Sequence, residues 1–93
     1  MKLRDGIVIV EDKDEFLLVT VGDASNYFSG MIRMNASAAY LVKMLQKGKS
    51  EKDILKALIE NYIIEEENAK IILRDVINKL SSINLIEKYD EDD

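Results

Sequence analysis

Cysteine and histidine are both missing from this chain of 93 residues. Without Cys there is neither a disulfide framework nor a thiolate metal site, and nothing marks an oxidising compartment. Ordinary hydrolytic triads and dyads draw on His, Cys or a Lys-activated hydroxyl, so with the first two gone no enzymatic activity and no catalytic residue are expected. Glycine is scarce. The four, at positions 6, 22, 30 and 48, are scattered at element boundaries, which excludes a glycine-rich phosphate loop. No apolar run approaches the roughly 20 residues that span a bilayer. The start Met1-Lys2-Leu3-Arg4-Asp5-Gly6 leads into a strand without a signal-peptide core, so a cytoplasmic protein without a membrane partner is expected.

An excess of positive charge is lacking too. The net charge is −5, and it is unevenly placed: residues 1–47 carry 6 basic and 6 acidic groups, residues 48–93 carry 7 and 12. Binding to nucleic acid draws on Lys and Arg to displace counterions from phosphates, so no nucleic-acid partner is expected. The acidic run Asp90-Glu91-Asp92-Asp93 reads as a solvated, frayed terminus rather than a metal site. With 47% hydrophobic residues, positions 1–89 form one small domain, ahead of a disordered tail over 90–93.

What is present is a run of strands followed by helices. Ile7-Val8-Ile9-Val10 and Phe16-Leu17-Leu18-Val19-Thr20-Val21 are β-branched, apolar runs separated by Glu11-Asp12-Lys13-Asp14-Glu15, a hairpin with a polar loop. The carboxylates of that loop read as solvated: a hairpin tip lacks the burial that would tune an acid, and the Gly and bidentate Glu of a calcium loop are not in place. A turn-rich link, Gly22 to Asn26, leads to a third strand from Tyr27 or Phe28 to Met34. By residue type Met31 reads as core filler, although its adaptable side chain also suits a binding pocket.

Asn35 then reads as an N-cap, with Ala38, Leu41, Val42 and Leu45 at helical spacing behind it. Gly48 closes that helix. Ser50-Glu51-Lys52-Asp53 opens a second as a weak capping box, and Leu55, Leu58, Ile59 and Tyr62 form its apolar face. Glu65-Glu66-Glu67 opens a third, where carboxylates meet the positive end of the helix dipole and read as structural. Its stripe of Ala69, Ile72, Leu73, Val76, Ile77 and Leu80 is wide enough to serve two surfaces, with Ile71 alone on the polar side. Ile83, Leu85 and Ile86 are expected to pack back on the helices. The class is α+β, a three-stranded antiparallel sheet followed by three helices, βββααα.

This order resembles the PqqD-like family, the recognition elements that bind leader peptides of ribosomally made, modified peptides. The resemblance runs from about Leu3 to Tyr89. Val21-Gly22-Asp23-Ala24-Ser25 with Phe28-Ser29-Gly30-Met31-Ile32-Arg33-Met34-Asn35 carries most of it, supported by Gly48, by Ser50-Glu51-Lys52-Asp53-Ile54, by the Tyr62 region and by Leu80 to Ile86. The chain departs from the family where Thr and Gly often follow the Asn, having Ala36-Ser37-Ala38-Ala39 instead.

The resemblance implies a winged helix-turn-helix-like domain in which a leader peptide adds as a strand between the third strand and the third helix. It assigns the backbone role to Phe28, Ser29, Gly30, Met31, Ile32, Arg33 and Met34, and the pocket role to Lys70, Leu73, Arg74 and Ile77. Lys70 and Arg74 can pair with an acidic leader residue or with nearby carboxylates of the chain itself. The implied partners are a precursor peptide and a modifying enzyme such as a radical SAM protein, with no cofactor or metal held by this chain. The competing readings are a winged-helix DNA-binding regulator, which the carboxylates opening the third helix disfavour, and a general protein-interaction adaptor.

Overall fold

The computed structural model describes residues 1–89; the tail expected to be disordered, 90–93, lies outside the described residues. The elements are β1 (Lys2–Leu3), β2 (Ile7–Asp12), β3 (Glu15–Thr20), a 3₁₀ turn (Gly22–Asn26), β4 (Met31–Met34), α1 (Ala36–Gln46), α2 (Glu51–Tyr62), α3 (Glu66–Ser82) and β5 (Ile86–Lys88). This is the expected α+β class, with β2, β3 and β4 as the antiparallel sheet in that order.

The hairpin is tighter than its charge suggested. β2 runs through Glu11 and Asp12 and pairs to the end, Glu11 with Phe16 and Asp12 with Glu15, so only Lys13 and Asp14 turn the chain. Asp12 and Glu15 are like charges facing each other, and the Arg33 Nε 3.3 Å from Glu15 Oε1 offsets their repulsion at this exposed end. Lys13 takes up a φ of 59° to make the turn. Gly6, at the other end, has a φ of +102°, and a Cβ there would lie 1.9 Å from the Val21 carbonyl oxygen. That close approach lets the Val21 N–H donate to the Gly6 carbonyl at 2.8 Å and anchors the hairpin base.

β4 is shorter than expected at its start. Thr20 Oγ1 donates to the Phe28 carbonyl at 2.6 Å, and the Phe28 ring turns in against the core before Gly30. The sheet ladder therefore begins only at Met31, which pairs with Val19. Alternation along β4 sends Ile32 and Met34 toward the core and Met31 and Arg33 outward. Met31 is 66% exposed, so it does not fill the core.

Helix starts fall where the capping residues stand. Asn35 Oδ1 accepts from the Ala38 N–H at 2.9 Å, and Ser50 Oγ accepts from the Asp53 N–H at 3.1 Å. α3 begins after Glu65, whose side chain makes no capping bond. Leu18, Leu41, Val42, Leu45, Ile54, Leu58, Leu73, Val76, Leu80 and Leu85 fill the space between sheet and helices, and among the described residues no polar side chain is buried. Leu85 and Ile86 do pack back on this core, and Ile86 also joins a second sheet: β5 pairs antiparallel with β1. Two short segments from opposite ends of the chain thus close the fold.

Candidate functional site

The site follows from which way β4 faces its two neighbours. In a two-residue hairpin the closing pair exchanges both backbone bonds, and bonded pairs then alternate along the ladder. The closing pair here is Asp12 with Glu15, so Val10 with Leu17 and Val8 with Val19 are bonded pairs as well. The Gly6–Val21 bond at 2.8 Å continues the same alternation. On its other side β3 must then bond through Phe16 and Leu18, whose partners on β4 are Met34 and Ile32. Met31 and Arg33 are left with their N–H and C=O groups directed away from the sheet, because β4 is an edge strand.

A groove lies along that edge. Leu18, Ile32, Met34, Ala38, Val76 and Leu80 make its apolar surface, and Arg33, Asn35, Asp75 and Lys79 border it, enclosing a cavity of about 310 Å³. Its second wall is the C-terminal half of α3. An extended segment laid in the groove meets unpaired backbone groups on one side and apolar side chains on the other, which are the two requirements for strand addition.

The sheet's opposite edge is less available. On β2 the register turns Ile7, Ile9 and Glu11 outward, and Gln46 Nε2 donates to the Ile7 carbonyl at 2.7 Å. A cavity of about 310 Å³ adjoins the start of β2, lined by residues 1–6 with Leu45, Gln46 and Gly48, so its walls come from the chain start and the end of α1 rather than from α3.

The expected site residues divide into two groups. Ile32, Arg33 and Met34 line the groove, and Met31 belongs to its edge strand. Phe28, Ser29 and Gly30 precede the strand, with Phe28 partly buried against the core. Lys70, Leu73, Arg74 and Ile77 do come together, but in a different cleft, of about 390 Å³, completed by Glu51 and Leu55 of α2. Lys70 Nζ is 3.4 Å from Glu66 Oε2 there. At about 100° per residue, the centre of this group lies roughly 140° around α3 from that of Asp75, Val76, Lys79 and Leu80. The wide stripe does serve two surfaces, and these four residues border the one shared with α2.

Asp75, Val76, Lys79 and Leu80 are the groove residues that the assignment of the pocket left out. Val76 and Leu80 were visible in the apolar stripe, yet periodicity alone does not say which neighbour each flank of a helix meets.

The model of the family described as coenzyme PQQ synthesis protein D (PqqD) matches residues 7–86. The chain belongs to the PqqD family. The PqqD match runs from the first residue of β2 to the first of β5, and so takes in the whole sheet, the groove and all three helices. Among solved structures, one described as TbiB1 in complex with the TbiA(beta) leader peptide is similar with a TM-score of 0.74 and 23% identity, covering 98% of this chain and 100% of that one. A second, described as lasso peptide synthetase B1 complexed with the leader peptide, has a TM-score of 0.67 and 22% identity over 91% of this chain and 93% of that one. At these identities the likeness establishes that the PqqD-family chain shares their fold. None of the curated proteins matches it.

Proposed function

We propose that this PqqD-family chain binds the leader segment of a ribosomally made precursor peptide by strand addition to β4 and presents it to a separate modifying enzyme, such as a radical SAM enzyme. The observation that carries the proposal is the pairing of an open strand edge, at Met31 and Arg33, with an apolar groove walled by α3. The two structurally similar proteins described as leader-peptide complexes support the choice of ligand.

The mechanism is one of binding. The outward N–H and C=O groups of Met31 and Arg33 bond to any extended backbone, each bond contributing roughly 0.5–1.5 kcal/mol net. Such bonds are indifferent to sequence. Selectivity comes from alternate side chains of the peptide that enter the groove over Ile32, Met34, Val76 and Leu80, where full burial of one Leu-sized side chain contributes about 1.5–3 kcal/mol. The chain supplies no catalytic group in this reading, so the bound peptide's free portion is what the enzyme works on. Phe28, Ser29 and Gly30 position the start of β4, while Lys70, Leu73, Arg74 and Ile77 hold α3 against α2 at the remote side of the groove wall or meet a peptide extending past it.

A DNA-binding role fits the site poorly: α3, the helix that would enter a groove, opens with Glu65, Glu66 and Glu67. Titration of precursor peptide into isotope-labelled protein tests the proposal. The amides of Met31 and Arg33 are expected to shift together with side chains of Val76 and Leu80, while Ile7 to Val10 stay unmoved. Shifts confined to β2 and β3 would sink it.

A further inference from the structure

Two acid–base pairs with the same spacing of four residues stand on opposite flanks of α3. On the α2 side, Glu66 and Lys70 are in contact at 3.4 Å. On the groove side, Asp75 and Lys79 are both exposed, both border the groove, and no ion pair engages either among the described residues. Arg33, the remaining charge on the groove's border, is already engaged: its Nε lies 3.3 Å from Glu15 Oε1. The groove therefore offers one uncommitted anion and one uncommitted cation beside an apolar surface.

Their spacing suits an extended ligand. Four residues along a helix advance about 6 Å. Side chains on one face of a strand recur every second residue, about 6.6–6.8 Å apart. A peptide paired to β4 and running along the α3 wall would bring two successive groove-facing side chains to Asp75 and Lys79 in turn, with Val76 and Leu80 supplying the apolar surface beside them.

We infer that the groove selects an extended peptide segment carrying one basic and one acidic residue two positions apart, read by Asp75 and Lys79, with an apolar side chain at an adjacent groove-facing position. This rests on strand addition to β4. Asp75 and Lys79 act as specificity residues: the backbone bonds fix the peptide to the edge, the apolar side chain sets its register, and the two charges decide which order of charges is accepted. Exposed ion pairs are individually weak, so together they give discrimination of about five- to tenfold rather than all-or-none choice.

The test uses three synthetic peptides at millimolar concentration, followed by amide shifts of labelled full-length protein. One is acetyl-Thr-Leu-Thr-Arg-Thr-Glu-Thr-amide, the second has Arg and Glu exchanged, and the third has Gln at both places. One charged peptide is expected to bind about five- to tenfold more tightly than its twin, with the Gln peptide between them. That preference is expected to invert in the doubly exchanged protein D75K/K79D and to shrink as salt is raised. Both side chains are exposed, so the exchange leaves the core untouched.

Equal binding of all three peptides, with Met31 and Arg33 amides still shifting, would overturn the selection while leaving strand addition intact. So would a preference that fails to invert in D75K/K79D. If none of the peptides shifts those amides, strand addition itself fails and this inference with it.

Discussion

Gln46 donates from Nε2 to the carbonyl oxygen of Ile7 at 2.7 Å, so a side chain from the end of α1 occupies one of the outward backbone groups on the edge of β2. The edge of β4, at the other side of the same sheet, is the one that faces a groove. Under the proposed strand addition, the β4 edge takes the peptide, and the Gln46 bond serves the fold. Replacing Gln46 with Leu keeps the aliphatic bulk and deletes the donor. Stability measured by urea unfolding is expected to fall by about 0.5–1.5 kcal/mol, with peptide affinity unchanged. A large loss of affinity would mean that the β2 edge takes part in binding.

Neighbouring proline substitutions on β4 should behave differently. Arg33→Pro removes a donor that points away from the sheet, and edge strands tolerate proline at such a position. The fold is expected to persist and affinity for the peptide to fall by about two- to twelvefold, the equivalent of one bond. Ile32→Pro instead removes a donor directed at β3 and strips a groove side chain, so the protein itself is expected to lose roughly 3 kcal/mol. Thermal unfolding and calorimetric titration of both variants check the alternation of bonded pairs directly. Equal stabilities would contradict the alternation in which Ile32 bonds to β3 and Arg33 faces outward.

Gly6 is a position where backbone geometry leaves no room for another residue. A Cβ would sit 1.9 Å from a backbone oxygen at a φ of +102°, so Gly6→Ala must displace Val21 and break the bond at the hairpin base. A loss of roughly 2–4 kcal/mol is expected. Thermal unfolding that changes by less than about 0.5 kcal/mol would contradict this geometry.

The helix starts give a controlled comparison. Asn35→Ala deletes the bond to the Ala38 N–H and is expected to cost about 1 kcal/mol. Glu65 occupies the same place at α3 without making a capping bond, so Glu65→Ala is expected to change stability by a few tenths of a kcal/mol at most. Chemical denaturation of the two variants side by side measures the difference.

Much of the fold is written in local sequence. Asn35 and Ser50 cap the helices they were expected to cap, because capping is decided within four residues. The apolar spacing of α1 and α3 likewise identified buried faces, since burial of a helix side depends on local periodicity, whereas on α2 the expected face was rotated: Ile54 is buried beside Leu58, and Tyr62 is exposed. The β1–β5 pairing was not readable: Lys2–Leu3 and Ile86–Lys88 are too short to stand out, and each is a strand only because the other lies beside it. The candidate site was half readable for a similar reason. Its strand came from local pattern and family resemblance, whereas its helical wall depended on how α3 is rotated against both α2 and β4. Lys70, Leu73, Arg74 and Ile77 share a flank, but the flank beside β4 is that of Asp75, Val76, Lys79 and Leu80.

The sequence by itself determined the α+β class, the order of three strands and three helices, the capped starts of α1 and α2 and the absence of Cys and His. These follow from residue type and spacing over a few positions. The family resemblance already implied that the third strand is an edge; only the tertiary structure decided that Met31 and Arg33 turn their backbone groups outward, that Gln46 bonds the Ile7 carbonyl on the other edge, and which side of α3 walls the groove. Each of these depends on register and rotation between segments distant in the chain, and the balance of packing over the whole core, not any local preference, sets them.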